Sequence, residues 1–149
     1  MLRATVERVA DGDTLTAFTD NATRLRIRLV GIDAPELSRG DAPGQPFGPE
    51  AHRFLARLVE SESRSVRVES FGPDAYRRLL AVLWAGEMNV NLAMVRAGLA
   101  EIYRGARCQA YCQELEEAER VARQDRLGMW TQDRYESPAA YRKRRRLGS

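Results

Sequence analysis

The chain has 149 residues, a formal net charge of +3 and 44% hydrophobic residues, proportions that fit one domain with a real core. No stretch approaches the roughly 18 consecutive apolar residues of a membrane span, and Met1 to Val6 lacks the apolar run of a secretory leader. A cytoplasmic chain and a secreted or periplasmic chain whose leader has been removed both remain open.

The basic residues are lopsided: Lys143 is the sole lysine among 24 lysines and arginines. Guanidinium forks suit phosphate, although genome base composition accounts for such a bias equally well.

In chain order, Asp11-Gly12 is a turn signal ahead of the alternating segment Thr14 to Phe18. Asp20 to Thr23 is predicted as a hairpin turn. Arg24 to Leu29 alternates arginine with aliphatic residues, which predicts a half-buried strand with Leu25, Ile27 and Leu29 inward and the arginines outward. Leu37 to Phe47, with Gly40, Pro43, Gly44 and Pro46, is a loop. A helix then starts at Gly48-Pro49-Glu50, with Ala51, Phe54, Leu55, Leu58 and Val59 as its apolar stripe. Ser65 to Ser70 and Arg78 to Trp84 read as two more strands.

Asn89 caps a short helix that ends at Gly98, burying Val90, Ala93, Met94 and Ala97. A last helix runs from about Ala110 to Leu127, with Tyr111, Leu115, Ala118 and Ala122 on one side and a solvated Glu- and Arg-rich side opposite. Five short strands with a helix after the third predict an α+β fold, an OB-type barrel closed by helices. The predicted domain is 1–131, and 132–149 is a basic tail whose run Arg142-Lys143-Arg144-Arg145-Arg146 is the kind that usually stays solvated. Cys108 and Cys112, four apart, would share one face if the segment is helical and are read as packed or idle thiols, a disulfide at that spacing being strained. With His52 far away in sequence they make no zinc site.

The residues that carry chemistry are acids and arginines. Asp13 opens one strand and Asp33 closes another, so adjacent strands would bring both to one barrel rim as hard oxygen ligands of the kind calcium takes. An EF-hand is excluded, because Leu15 stands where the third ligand should be. Alone, Asp11-Gly12-Asp13-Thr14 would be only a turn. Arg28, facing away from the core, and Arg78 can together grip a phosphate. Glu36, three residues past Asp33 and held by Pro35, can orient or deprotonate a water.

Asp11-Gly12-Asp13-Thr14, Arg28 to Glu36, Phe47 to Ala51, Tyr76 to Ala81, Val95 to Ala100 and Leu127 to Trp130 resemble the staphylococcal nuclease family, in the family's order. The resemblance implies a five-stranded OB barrel with three α-helices. It also implies a calcium-dependent (Ca2+) nuclease that hydrolyses DNA and RNA with little base specificity, the 5′ oxygen leaving. By position, Asp13, Asp33 and the Ala34 carbonyl would hold calcium, Glu36 would act on the attacking water, and Arg28 and Arg78 would bind phosphate. Tyr76 falls near the nucleotide pocket. Arg77 departs from the family's glycine and would alter the turn or compete for phosphate. Tyr103 is a candidate for base stacking. A monomer without membrane partners is expected, and the alternative is a barrel that binds nucleic acid without cutting it.

Overall fold

The alternation of Arg24 to Leu29 organises the barrel. In the computed structural model, which describes residues 1–148, Ile27 and Leu29 are fully buried and Arg24, Arg26 and Arg28 are not. This strand, β3 (Arg24–Leu29), follows β1 (Leu2–Val9) and β2 (Thr14–Thr19), and a two-residue β4 (Ile32–Asp33) comes next. After α1 (Gly48–Glu60) come β5 (Ser65–Pro73), β6 (Leu79–Ala85) and the short β7 (Met88–Asn89). The chain continues through α2 (Val90–Arg96), β8 (Glu101–Ile102), α3 (Cys112–Gln124), a 3-10 turn at Gly128–Thr131 and α4 (Pro138–Leu147).

The sheet runs β3-β2-β1-β5-β6 and closes by parallel pairing of β3 with β6, so five strands make a closed, mixed barrel. Closure leaves no long unpaired edge among these strands. β4 and β8 form a separate ladder in which Ile32 faces Ile102 and Asp33 faces Glu101. Leu15, Ile27, Leu29, Val66, Val68 and Leu83 fill the barrel, and Ala51, Leu55 and Val59 of α1 pack onto it, as the apolar stripe of that helix predicts. Phe54 and Leu58 pack partly buried beside them. Val90 and Met94 of α2 are buried as expected, but Leu92, Val95 and Asn91 are buried too.

Four α-helices are present among the described residues, one more than expected. The addition is α4, in the segment read as a solvated basic tail. Ser137 caps it by accepting the Ala140 N–H, Pro138 starts it and Tyr141 is buried beneath it. One buried aromatic together with a cap anchors a helix whose composition gave no apolar stripe.

Cys108 and Cys112 form a disulfide, correcting the reading as free thiols. That reading took a spacing of four as too tight for an unstrained bridge, as it would be in a helical segment. α3 starts only at Cys112, behind Tyr111 in the left-handed region (φ 55°), so the two Cα atoms lie 6.0 Å apart in ordinary bridging range.

Candidate functional site

The β1–β2 turn, the β3–β4 connection and α4 meet at one barrel rim. Gly12 is required there, because a Cβ would come within 2.7 Å of the Ala34 and Ala51 Cβ atoms. Gly31, at φ 83°, reverses the chain between β3 and β4. The Leu29 N–H donates to the Asp13 carbonyl (2.8 Å) and the Ala34 N–H to Asp13 Oδ2 (2.8 Å), so both segments are stitched to one aspartate. Asn91, buried on α2, donates from Nδ2 to the Val30 and Ala81 carbonyls and fixes the β3–β4 connection against β6.

These contacts gather four acids, Asp11, Asp13, Asp33 and Glu36, on the wall of a cavity of about 710 Å³. Arg28 stands among them. Its Nη1 donates to the Leu29 (2.6 Å) and Ile32 (2.8 Å) carbonyls, and its Nη2 lies 3.4 Å from Asp13 Oδ2 and 3.5 Å from Asp33 Oδ1. The strand alternation predicted an arginine off the core face, yet the Arg28 side chain is only 13% exposed. Arg78 lines the same cavity. Its Nε donates to Asp74 Oδ2 (2.7 Å), while the N–H groups of Tyr76 and Arg78 donate to Asp74 Oδ1.

Tyr76, 72% exposed, carries the Arg78 guanidinium 5.5 Å above its ring, and Tyr103 lies 5.8 Å from that of Arg28. Both tyrosines line the cavity. Arg77 is exposed and is not among the lining residues. It adopts φ 63°, a left-handed conformation that favours glycine, and the Asp74 hydrogen bonds hold the turn in that form.

Burial pushes the Asp11 carboxyl up, and the neighbouring Asp13 charge adds to it, to about 7. Burial pushes Asp13 up as well, but Arg28 and the hydrogen bonds from Ala34 and Thr14 outweigh it and leave Asp13 below the usual range. Asp11 was read only as a turn residue. Its Oδ1 accepts the Asp13 N–H (3.0 Å), an Asx turn that aims Asp13 into the cavity.

Sequence reasoning missed Arg142. From α4 its Nη1 donates to Asp33 Oδ1 (3.0 Å) and Glu36 Oε1 (2.7 Å), and its Nη2 to Asp33 Oδ2 (2.8 Å). Asp33, then burial against it and Glu36 with it, leave the guanidinium more firmly protonated than a free arginine. No three Asp, Glu, His or Cys side chains close into a metal cage among the described residues. The carboxylate oxygens are nevertheless hard donors on adjoining segments, and Asp33 and Glu36 already hold a cationic group between them. That donor set suits calcium completed by backbone carbonyl, water and phosphate oxygen.

A closed five-stranded barrel with acids and two arginines at its rim defines an OB-type α+β protein. Residues 26–132 match the family described as staphylococcal nuclease homologue. The chain belongs to that family. It is 33% identical over 95% of its length to an "Uncharacterized endonuclease" of Haemophilus influenzae, of which it covers 74%. It is 34% identical over 91% of its length to "Endonuclease Htp3" of Saprolegnia parasitica, covering 65% of that protein. It is 30% identical over 84% of its length to "Thermonuclease" of Staphylococcus intermedius, covering 74%.

Proposed function

We propose that this chain is a calcium-dependent nuclease that hydrolyses phosphodiester bonds of DNA and RNA with low sequence specificity. The nuclease class follows from the family and from relatives named endonuclease and thermonuclease. The observation that carries the finer reading is the meeting of Asp13, Arg28, Asp33, Glu36 and Arg78 around one cavity.

Asp13, Asp33 and the Ala34 carbonyl are the groups that would hold calcium. Bound there, the ion supplies Lewis-acid polarisation of the scissile phosphate. Arg28, tethered by two backbone carbonyls, presents a pre-positioned guanidinium whose Nη2, loosely paired with Asp13 and Asp33, would turn to phosphate oxygen once those acids hold the cation. Arg78 spends Nε on Asp74 and keeps its two Nη nitrogens for the same phosphate.

Glu36, which shares the Arg142 guanidinium with Asp33, orients a water for in-line attack. The water oxygen bonds to phosphorus, the bond to the 5′ oxygen breaks, and a proton ends on that oxygen, leaving a 3′-phosphate. Tyr76 and Tyr103 offer ring faces to the flanking bases, a contact that tolerates any base because each has a π face. Low specificity is consistent with a wall made of arginines, acids and rings.

The test is cleavage of single-stranded DNA in calcium, in EDTA, and by Glu36→Gln in calcium. Cutting that requires calcium and is lost in both controls is the expected result. Tight binding without cutting would instead make the chain a nucleic-acid-binding barrel.

A further inference from the structure

Arg142 does more than border the cavity. Its guanidinium takes both carboxylate oxygens of Asp33 and one of Glu36. Those are the oxygens that the proposed function needs for a cation and for a water. The side chain is 33% exposed, so it reaches the acids from the solvent side.

The helix that carries Arg142 is docked by contacts that begin at the same acids. The Glu36 N–H donates to Gln45 Oε1 (3.1 Å), and Gln45 Nε2 donates to the Glu136 carbonyl (2.9 Å) just ahead of α4. Docking also buries the Tyr141 hydroxyl without a hydrogen-bond partner, which weighs against the docked state. Lys143, Arg144 and Arg145 are exposed on the same helix, so its free form would be drawn to a polyanion.

We propose that α4 is a self-inhibitory plug in which Arg142 competes with the divalent cation for Asp33 and Glu36. The inference rests on the reading of Asp33 as a cation ligand. Arg142 must withdraw before Asp33 can face a metal. The apparent affinity for the cation is therefore lowered by the fraction of molecules in which the plug is seated. Nucleic acid, by holding the basic helix elsewhere, shifts the same balance toward the open form.

The experiment is calcium titration by isothermal calorimetry of the full chain, without substrate. It compares the unmodified protein with Arg142→Ala, Arg142→Met, Arg145→Ala and Asp33→Asn. Arg142→Met keeps the aliphatic stem and guards against a fold defect. Arg145→Ala removes the same charge from an exposed site on the same helix.

Both Arg142 variants are expected to bind calcium at least about fivefold more tightly, as release of a charge-assisted, bidentate contact implies. Arg145→Ala should stay near the unmodified value, and Asp33→Asn should bind far more weakly. Equal affinities in the unmodified protein and both Arg142 variants would overturn the plug while leaving the calcium site standing. So would an Arg145→Ala gain as large as that of Arg142→Ala, which would reduce the effect to net charge. Absence of calcium binding in every variant would overturn the plug together with the calcium reading.

Discussion

Two groups of buried and half-buried acids lie across the short β4–β8 ladder, where Asp33 faces Glu101, and they are neutralised in different ways. On one side, Glu101 accepts from Tyr135 Oη and Arg104 Nη1, while Glu119 accepts the Ile102 N–H (2.7 Å) and pairs with Arg104 and with Arg123 (3.3 Å). Arg123 is one turn along the same helix as Glu119, and Arg104 is two residues past β8. On the other side, Asp13, Asp33 and Glu36 face a cavity, and part of their neutralisation comes from Arg142 on the last helix of the chain. The first group is closed by its own neighbourhood and contributes structure. The second is closed from a distance and can be opened, which is what a site for a cation and a phosphate requires.

The comparison breaks most sharply on paired substitutions. Glu36→Gln should lower the cleavage rate by about 10²–10⁴-fold, the usual contribution of a positioned acid–base group, with a nearly unchanged melting temperature. Glu36 is only partly buried and packs against no core cluster. Glu119→Ala should do the reverse. Removing it leaves the Ile102 N–H without its partner and Arg104 with Glu101 alone, a loss of about 1–3 kcal/mol, since Arg104 and Arg123 are half exposed and regain water. Rates measured well below its melting point should stay close to the unmodified value. If denaturant melts ranked the two variants the other way, the division into a structural and a chemical group would be wrong.

Asp11 sharpens the contrast further, because its acidity is set by the open group. Its carboxyl titrates near 7 in the folded protein against 3.8 unfolded, pushed up by burial and by Asp13. Between about pH 4 and pH 7 the folded state therefore holds a proton that the unfolded state has lost. Stability falls as pH rises through that window and is fully relieved below it. Asp11→Asn keeps the Oδ1 that accepts the Asp13 N–H and removes the ionisation. In chelator it should gain on the order of a few kcal/mol over the unmodified protein at pH 8 and little or nothing at pH 4. Denaturant melts at the two pH values check this, and a gain equal at both would assign the effect to something other than the proton.

Much of the open group was legible in the chain, and the closed group was not. Asp13, Arg28 and Asp33 stand at the ends of segments whose strict alternation reveals both strand and facing. Arg142 gave no such signal. It lies in a basic run with Tyr141 as the one buried residue beside the first-turn proline, so its place depends on docking contacts from Gln45 and Asp33, far away in sequence. Glu119 hid for the opposite reason. In a helix dense with charge it was read as solvated, yet it sits four residues past Leu115 and one past Ala118, on the edge of the buried face. The Cys108–Cys112 bridge was missed because a spacing of four does not reveal the backbone between the two residues, which here lies outside α3 and sets their Cα atoms 6.0 Å apart.

That bridge offers the mildest probe of the two groups, since it anchors the end of the segment they share. Tyr103, Ala106, Arg107 and Gln109 line the cavity, while Arg104 between them serves Glu101 and Glu119. A loop of this length constrains the unfolded chain by roughly 2 kcal/mol at most, so the Cys108→Ser/Cys112→Ser double variant should lose about that much stability. Arg104 is also held by two carboxylates, whereas Tyr103 is tied by its N–H to the Gly31 carbonyl (2.9 Å) and its ring meets the Arg28 guanidinium edge-of-range at 5.8 Å. Opening the loop should therefore loosen the substrate wall before it disturbs the buried pair. The expected signature is a rise in KM for single-stranded DNA with kcat largely kept. A fall in kcat with KM unchanged would mean that the loop supports the acids themselves, and that the two groups are mechanically one.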